Sequence, residues 1–140
     1  MNLIDVVAML ALLQYLVFGA LVGRARARHG VQAPAVTGHP AFERAYRVQM
    51  NTLELLVALL PALYAAGRYW PAWAVALAGG VYLVGRALYA RAYVRDPASR
   101  GPGFLLSMGA VGVLLLAALV PAAWRAIAGR SEEHTSELQS

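Results

Sequence analysis

The fold the sequence predicts is all-α: a four-helix transmembrane bundle in one domain. Three observations predict it. Of 140 residues, 60% are hydrophobic and only 14% charged, where an average soluble domain carries roughly a quarter charged residues. The mean hydropathy is +0.56. Four apolar runs, each near the ~20 residues that a bilayer crossing needs, take up most of the chain. That leaves no room for a separate soluble domain and excludes the large α/β enzyme folds. The chain has no cysteine, which excludes a disulfide framework, a thiolate metal site and a cysteine nucleophile.

The first span is expected over residues 3–22, with Asp5 at its start and Gln14 near its middle. Its acidic start and the basic residues after it read as a true span and not as a cleaved signal peptide. The second, residues 50–69, contains Asn51, Glu54 and Pro61; the third, residues 70–93, stays apolar until Arg86 and Arg91; the fourth, residues 104–127, is the cleanest. Backbone polar groups in a bilayer must be satisfied within the segment, so such runs are helices. Pro61 is expected to kink its helix, and Gly19, Gly23, Gly79, Gly80, Gly109 and Gly112 are candidate points of close helix approach. No internal repeat or low-complexity linker divides the chain, so residues 1–129 form one domain.

Residues 130–140, RSEEHTSELQS, are polar throughout and coincide with the in-frame translation of a common DNA-sequencing adapter. They are set aside from fold reasoning as a non-native tail. Without them 11 arginines face 4 acidic residues, and the chain has no lysine. The arginines cluster in two loops: Arg24, Arg26, Arg28, Arg44 and Arg47 in the first, and Arg91, Arg95 and Arg100 between the third and fourth spans. The opposite side has little more than Arg68 and Arg125. The positive-inside rule therefore puts both arginine-rich loops in the cytoplasm and both termini outside, with Trp70 and Trp73 in an aromatic belt. Arginines beside spans read as membrane topology and anionic-lipid contact, with no nucleic-acid partner expected. His29 and His39, with no carboxylate beside them, read as solvated loop residues, and no metal is expected.

Polar residues inside apolar spans carry the chemical signal. Arg47, Asn51 and Glu54 are spaced i, i+4, i+7, which places them on one helix face. An ionisable group at a span's centre costs on the order of 2.5 kcal/mol or more, so Glu54 should meet a partner or a polar cavity. On the third helix Tyr82, Arg86, Tyr89 and Tyr93 repeat the pattern at i, i+4, i+7, i+11. Both stripes lie next to the arginine-rich loops, where they would suit a small, multiply charged, water-soluble ligand. Contacts that only glue helices together account for the same residues equally well.

The segment from Phe42 to Glu54, FERAYRVQMNTLE, resembles the signature of the membrane-associated proteins in eicosanoid and glutathione metabolism, the MAPEG family. It reads FERxxRxQxNxxE in the second of four spans and is followed by a proline. Val81-Tyr82-Leu83 with Arg86, Tyr89 and Tyr93, then Arg100, and the preceding loop with Pro34, Gly38 and Pro40 support it, over residues 1 to about 128. The resemblance implies a homotrimer that binds glutathione as co-substrate between neighbouring subunits, and conjugates it to lipophilic electrophiles or uses it to reduce lipid hydroperoxides. It implies Arg47, Gln49, Asn51 and Glu54 as glutathione ligands, with Tyr89, Tyr93 and Arg86 completing the pocket. It implies Arg100 as the arginine holding the sulfur as thiolate, and Arg26 as a second arginine near the end of the first helix.

One departure is Leu55, where several family enzymes have an aromatic. The family also includes a member that presents lipid without catalysis, so a non-catalytic lipid-binding scaffold stands beside the membrane glutathione transferase or peroxidase. A small exporter using Glu54 as a proton-coupled carboxylate is a third reading.

Overall fold

The computed structural model describes residues 2–140. Four helices follow one another: α1 (Leu3–His29), α2 (Pro40–Ala66), α3 (Ala72–Arg95) and α4 (Gly101–Gln139), with a 3₁₀ turn, Pro97–Arg100, between the last two. Each is long and apolar enough to cross a membrane. The chain thus has the build of an integral, multi-pass membrane protein.

Local chemistry sets the helix ends, and at the arginine-rich end of the bundle it sets them beyond the apolar runs. The Asn2 side chain caps α1 by accepting from the Ile4 amide at 3.0 Å, and Gly30, at φ 66°, closes it in the left-handed conformation. His39 caps α2 through Nδ1, which accepts from the Ala41 amide at 3.1 Å, and Pro40 takes the first helical position. The first loop is therefore residues 30–39, and the five arginines expected in it lie on helices: Arg24, Arg26 and Arg28 extend α1, while Arg44 and Arg47 extend α2. Arginine stems pack along a helix while their heads reach water, so a drop in hydropathy does not end the helix. α2 runs through Pro61 to Ala66, three residues short of the expected span end. α4 continues as an exposed helix through residues 130–139.

The main core gathers one stripe from each helix, including Ala8, Leu59, Leu63, Tyr82 and Leu114. Much of the remaining apolar surface faces outward: only 28% of the most apolar stretch of α1 and 39% of that of α2 are buried. A small protein in water would be unstable with that surface, whereas lipid is its natural solvent. At the end opposite the arginine-rich loops, Trp70 and Trp73 are exposed, and the Trp70 indole donates to the Ala117 carbonyl at 2.8 Å.

α3 and α4 approach most closely where two glycines face each other's partner helix. A Cβ on Gly85 would lie 2.7 Å from the Ser107 backbone nitrogen, and one on Gly103 would lie 2.7 Å from the Tyr89 Cα. Of the glycines singled out in the sequence, Gly79 meets Val7 and Leu63, and Gly19 meets Gln49, whereas Gly23, Gly80, Gly109 and Gly112 face open space.

The first loop is closed by a face-to-face stack of His29 on His39, with ring centroids 3.9 Å apart, in place of two independent solvated side chains. Partial burial, then the neighbouring His39 and Arg28 charges, hold His29 below its ordinary value of 6.5.

Two outcomes follow. Gly103→Ala forces α3 and α4 apart against backbone, and should lower stability by about 1–3 kcal/mol in thermal unfolding of the detergent-solubilised protein. The depressed His29 value means that the folded loop disfavours the proton, so its contribution to stability is present above pH 6.5 and is lost as pH falls below it. Limited proteolysis within residues 30–39 should be faster at pH 5 than at pH 8, and His29→Phe should remove that difference.

Candidate functional site

The site is built on one buried cation. Arg86 is 0% exposed, in the body of α3. Its Nε and Nη2 donate to the Ser107 hydroxyl oxygen of α4 at 3.0 and 2.9 Å. Its Nη1 donates to Asn51 Oδ1 at 2.7 Å and, more weakly, to Thr52 Oγ1 at 3.4 Å, both on α2. The guanidinium also lies 4.1 Å from the centre of the Tyr89 ring. The Ser107 hydroxyl in turn donates to the Gly103 carbonyl at 2.9 Å. No ion pair forms among the described residues, so hydrogen bonds and a ring face solvate this charge without cancelling it.

Above Arg86 opens a cavity of about 630 Å³, within the roughly 300–1,000 Å³ range of small-ligand sites. α2 supplies Arg47 and Asn51; α3 supplies Tyr89 and Tyr93; the 3₁₀ turn and the start of α4 supply Arg100, Gly101 and Phe104. Each helical pair is spaced i, i+4, so its two members stack along one face. Tyr89 and Tyr93 have ring centroids 5.5 Å apart, and Phe104 sits 6.3 Å from Tyr89. Arg100 Nη1 donates to the Pro97 carbonyl at 2.8 Å, which holds its head beside the cavity. Two guanidiniums in the wall, a third behind Asn51, and phenols with no carboxylate in the lining make the space selective for an anion.

Arg47, Asn51, Tyr89, Tyr93 and Arg100, all singled out in the sequence, thus share one cavity, with Arg86 beneath it. Three others lie elsewhere in the chain. Gln49 turns toward α1, its side chain against Gly19. Arg26 donates to the Ala35 carbonyl at 2.7 Å and lies 4.6 Å over the Phe42 ring, bracing the first loop. Glu54 is exposed on the outer surface of α2 and pairs with no cation among the described residues. Tyr82, expected on the same stripe as Tyr89 and Tyr93, is fully buried in the main core. Sequence reasoning passed over Thr52, Ser107 and Phe104; the signal available for Ser107 was a lone hydroxyl within the cleanest apolar span.

Fold and site together define a four-span membrane protein with an anion-selective cavity at the arginine-rich end of its bundle. The sequence profile of the MAPEG family matches residues 4–120, and the chain belongs to that family. It is 43% identical over 116 residues to an uncharacterized protein of Synechocystis, covering 83% of this chain and 85% of that protein. It is 39% identical over 114 residues to microsomal glutathione S-transferase 2 of Homo sapiens (81% of this chain, 78% of the relative). It is 38% identical over 133 residues to leukotriene C4 synthase of Cavia porcellus (89% and 87%).

If the Arg86 network holds the site together, its members should matter in proportion to their hydrogen bonds. Ser107→Ala removes the acceptor of two of them and should cost about 1.5–3 kcal/mol. Thr52→Val removes only the 3.4 Å contact and should cost clearly less. Equal unfolding midpoints for the two variants would contradict this ordering.

Proposed function

We propose that the protein is a membrane glutathione transferase that activates the thiol of glutathione for attack on lipophilic electrophiles. The observation that carries the reading is the meeting of Arg47, Asn51, Tyr89, Tyr93 and Arg100 around one cavity. The names of its relatives, a microsomal glutathione S-transferase and a leukotriene C4 synthase, support the same class of chemistry.

Each residue has a task that its chemistry suits. Glutathione presents two carboxylates, an amine and a thiol. Arg47 answers a carboxylate with a fork of donors, Asn51 adds an amide, and the phenols of Tyr89 and Tyr93 offer further hydrogen bonds. A thiol with an ordinary pKa near 8.5 is only a few per cent ionised at neutral pH. Arg100 keeps its charge and donates toward the sulfur, which favours the thiolate. The thiol proton leaves to water; the sulfur lone pair forms the new S–C bond as the electrophile's leaving group departs or its epoxide opens to an alkoxide that takes up a proton. With a hydroperoxide as acceptor, two thiols are oxidised to a disulfide while the peroxide is reduced to an alcohol and water. The bilayer raises the local concentration of the lipophilic partner.

Glu54 gives the reading its oligomeric part. A carboxylate exposed on an apolar helix is costly where it faces lipid, the more so the deeper it lies. Covering by a second copy relieves that cost and brings Glu54 toward the amine of a ligand held at a subunit boundary. Gln49 and Arg26 would join from the same boundary, in the homotrimer that the resemblance implies. With the arginine-rich loops in the cytoplasm, glutathione would enter from there.

Arg100→Ala should lower turnover with a small electrophile about 100-fold, and should move the ultraviolet thiolate signal of bound glutathione toward the free thiol's midpoint. Its oligomeric state on gel filtration should be unchanged. Unaltered turnover would remove Arg100 from the mechanism, and an absence of glutathione binding to the intact protein at millimolar concentration would remove the proposed function itself.

A further inference from the structure

On the other side of α2 and α3 from the cavity lies a second opening of different chemistry. It is an apolar cleft of about 390 Å³ between α1, α2 and α3, lined by Phe18, Leu21, Val48, Ala90 and Val94 among others. Arg91 and Arg95, one helical turn apart on α3, stand in its wall. The same two arginines line a neighbouring recess of about 420 Å³ with Leu88, Asp96 and Ser99. The two spaces therefore share a pair of guanidiniums.

The polar groups around that pair are differently engaged. Asp96 accepts from the Ala98 amide at 3.2 Å, and the Ser99 hydroxyl donates to the Ala92 and Asp96 carbonyls at 3.2 and 2.7 Å, so both are committed to the turn. Arg44 Nη1 donates to the Val94 carbonyl at 3.3 Å and bridges α2 to α3 beside the cleft. Arg91 and Arg95 are exposed and make neither a hydrogen bond nor an ion pair among the described residues. They sit where the apolar part of α3 gives way to its charged end, the depth at which lipid phosphates lie when the rest of the helix is in the bilayer.

We propose that this is a binding site for one anionic phospholipid of the surrounding leaflet, its phosphate held by Arg91 and Arg95 and one acyl chain lying in the cleft against Phe18, Leu21 and Val48. The charge of the pair selects the headgroup and the apolar wall accepts the chain. A free phosphate would have no use for that wall, and an uncharged amphiphile would have none for the arginines. The site is independent of the proposed glutathione chemistry, because α2 turns Arg47 and Asn51 to one side and Val48 to the other.

The full chain reconstituted in phosphatidylcholine nanodiscs, doped with phosphatidylglycerol carrying a photoactivatable diazirine on one acyl chain, tests this. Crosslinks read by peptide mass spectrometry should concentrate on the end of α1 around Phe18 to Leu21, on α2 near Val48 and on α3 near Ala90. The same diazirine on phosphatidylcholine should label these peptides at least several-fold less. The double variant Arg91→Gln with Arg95→Gln should remove the preference for the anionic probe. Leu21→Trp, which fills the cleft from its exposed side, should reduce labelling by either probe while leaving both arginines in place. Equal labelling by the two lipids, labelling spread evenly over all four helices, or insensitivity to the arginine pair would overturn the proposal. Loss of phosphatidylglycerol labelling on addition of inorganic phosphate at matched concentration would overturn it in favour of a free-anion site.

Discussion

A guanidinium that stays charged has been folded into the interior of a bundle that is otherwise apolar, and the rest of the structure accommodates it. Arg86 has no carboxylate to neutralise it, so oxygen atoms from two other helices and one aromatic face solvate it instead. Each requirement fixes geometry. Asn51 and Thr52 set the rotation of α2, and Ser107 sets that of α4. Ser107 also has to come close, and it does because Gly85 and Gly103 leave the α3–α4 contact without side chains. Arg86 therefore unites packing and function: the hydrogen bonds that make its burial tolerable orient Asn51, which borders the cavity, and the remaining positive charge makes that cavity hospitable to anions.

α2 is the element that separates two environments. Its 3.6-residue period presents Arg47 and Asn51 to the polar cavity and Ala45 and Val48 to the apolar cleft. α3 divides in the same way, with Tyr89 and Tyr93 on one side and Ala90 and Val94 on the other. Two compartments of opposite polarity can lie a helix diameter apart because the two faces of α2 and α3 divide them, with only the 3₁₀ turn added on the cavity side.

The four spans and the family were legible because length, hydropathy and an uninterrupted motif are local properties of the chain. The stripe Arg47, Asn51, Glu54 was legible as a face, yet its members part company: Asn51 is reached by Arg86 from α3, whereas Glu54 lies on α2 where no other helix of the chain covers it. A periodic pattern gives an angle around one helix and says nothing of how far a neighbour extends across it. Tyr82 shows the same limit from the other direction, since it shares a face with Tyr89 but lies deep enough to join the core. The loop boundaries lie elsewhere than the hydropathy suggests because arginines do not end a helix, whereas the caps at Gly30 and His39 do. The contacts at Gly85 and Gly103 depend on the register between α3 and α4, which the sequence does not express.

The connection from α3 to α4 is a single 3₁₀ turn, pinned by Asp96, Ser99 and Arg100 to carbonyls and amides of its own neighbourhood. A segment that short and that fully occupied has little reach to fold over the cavity. On this side the cavity is bordered by a standing doorframe and not by a gate that swings. The charges of Arg47 and Arg100 stand in that doorframe, so an anion approaching it meets a field that salt screens.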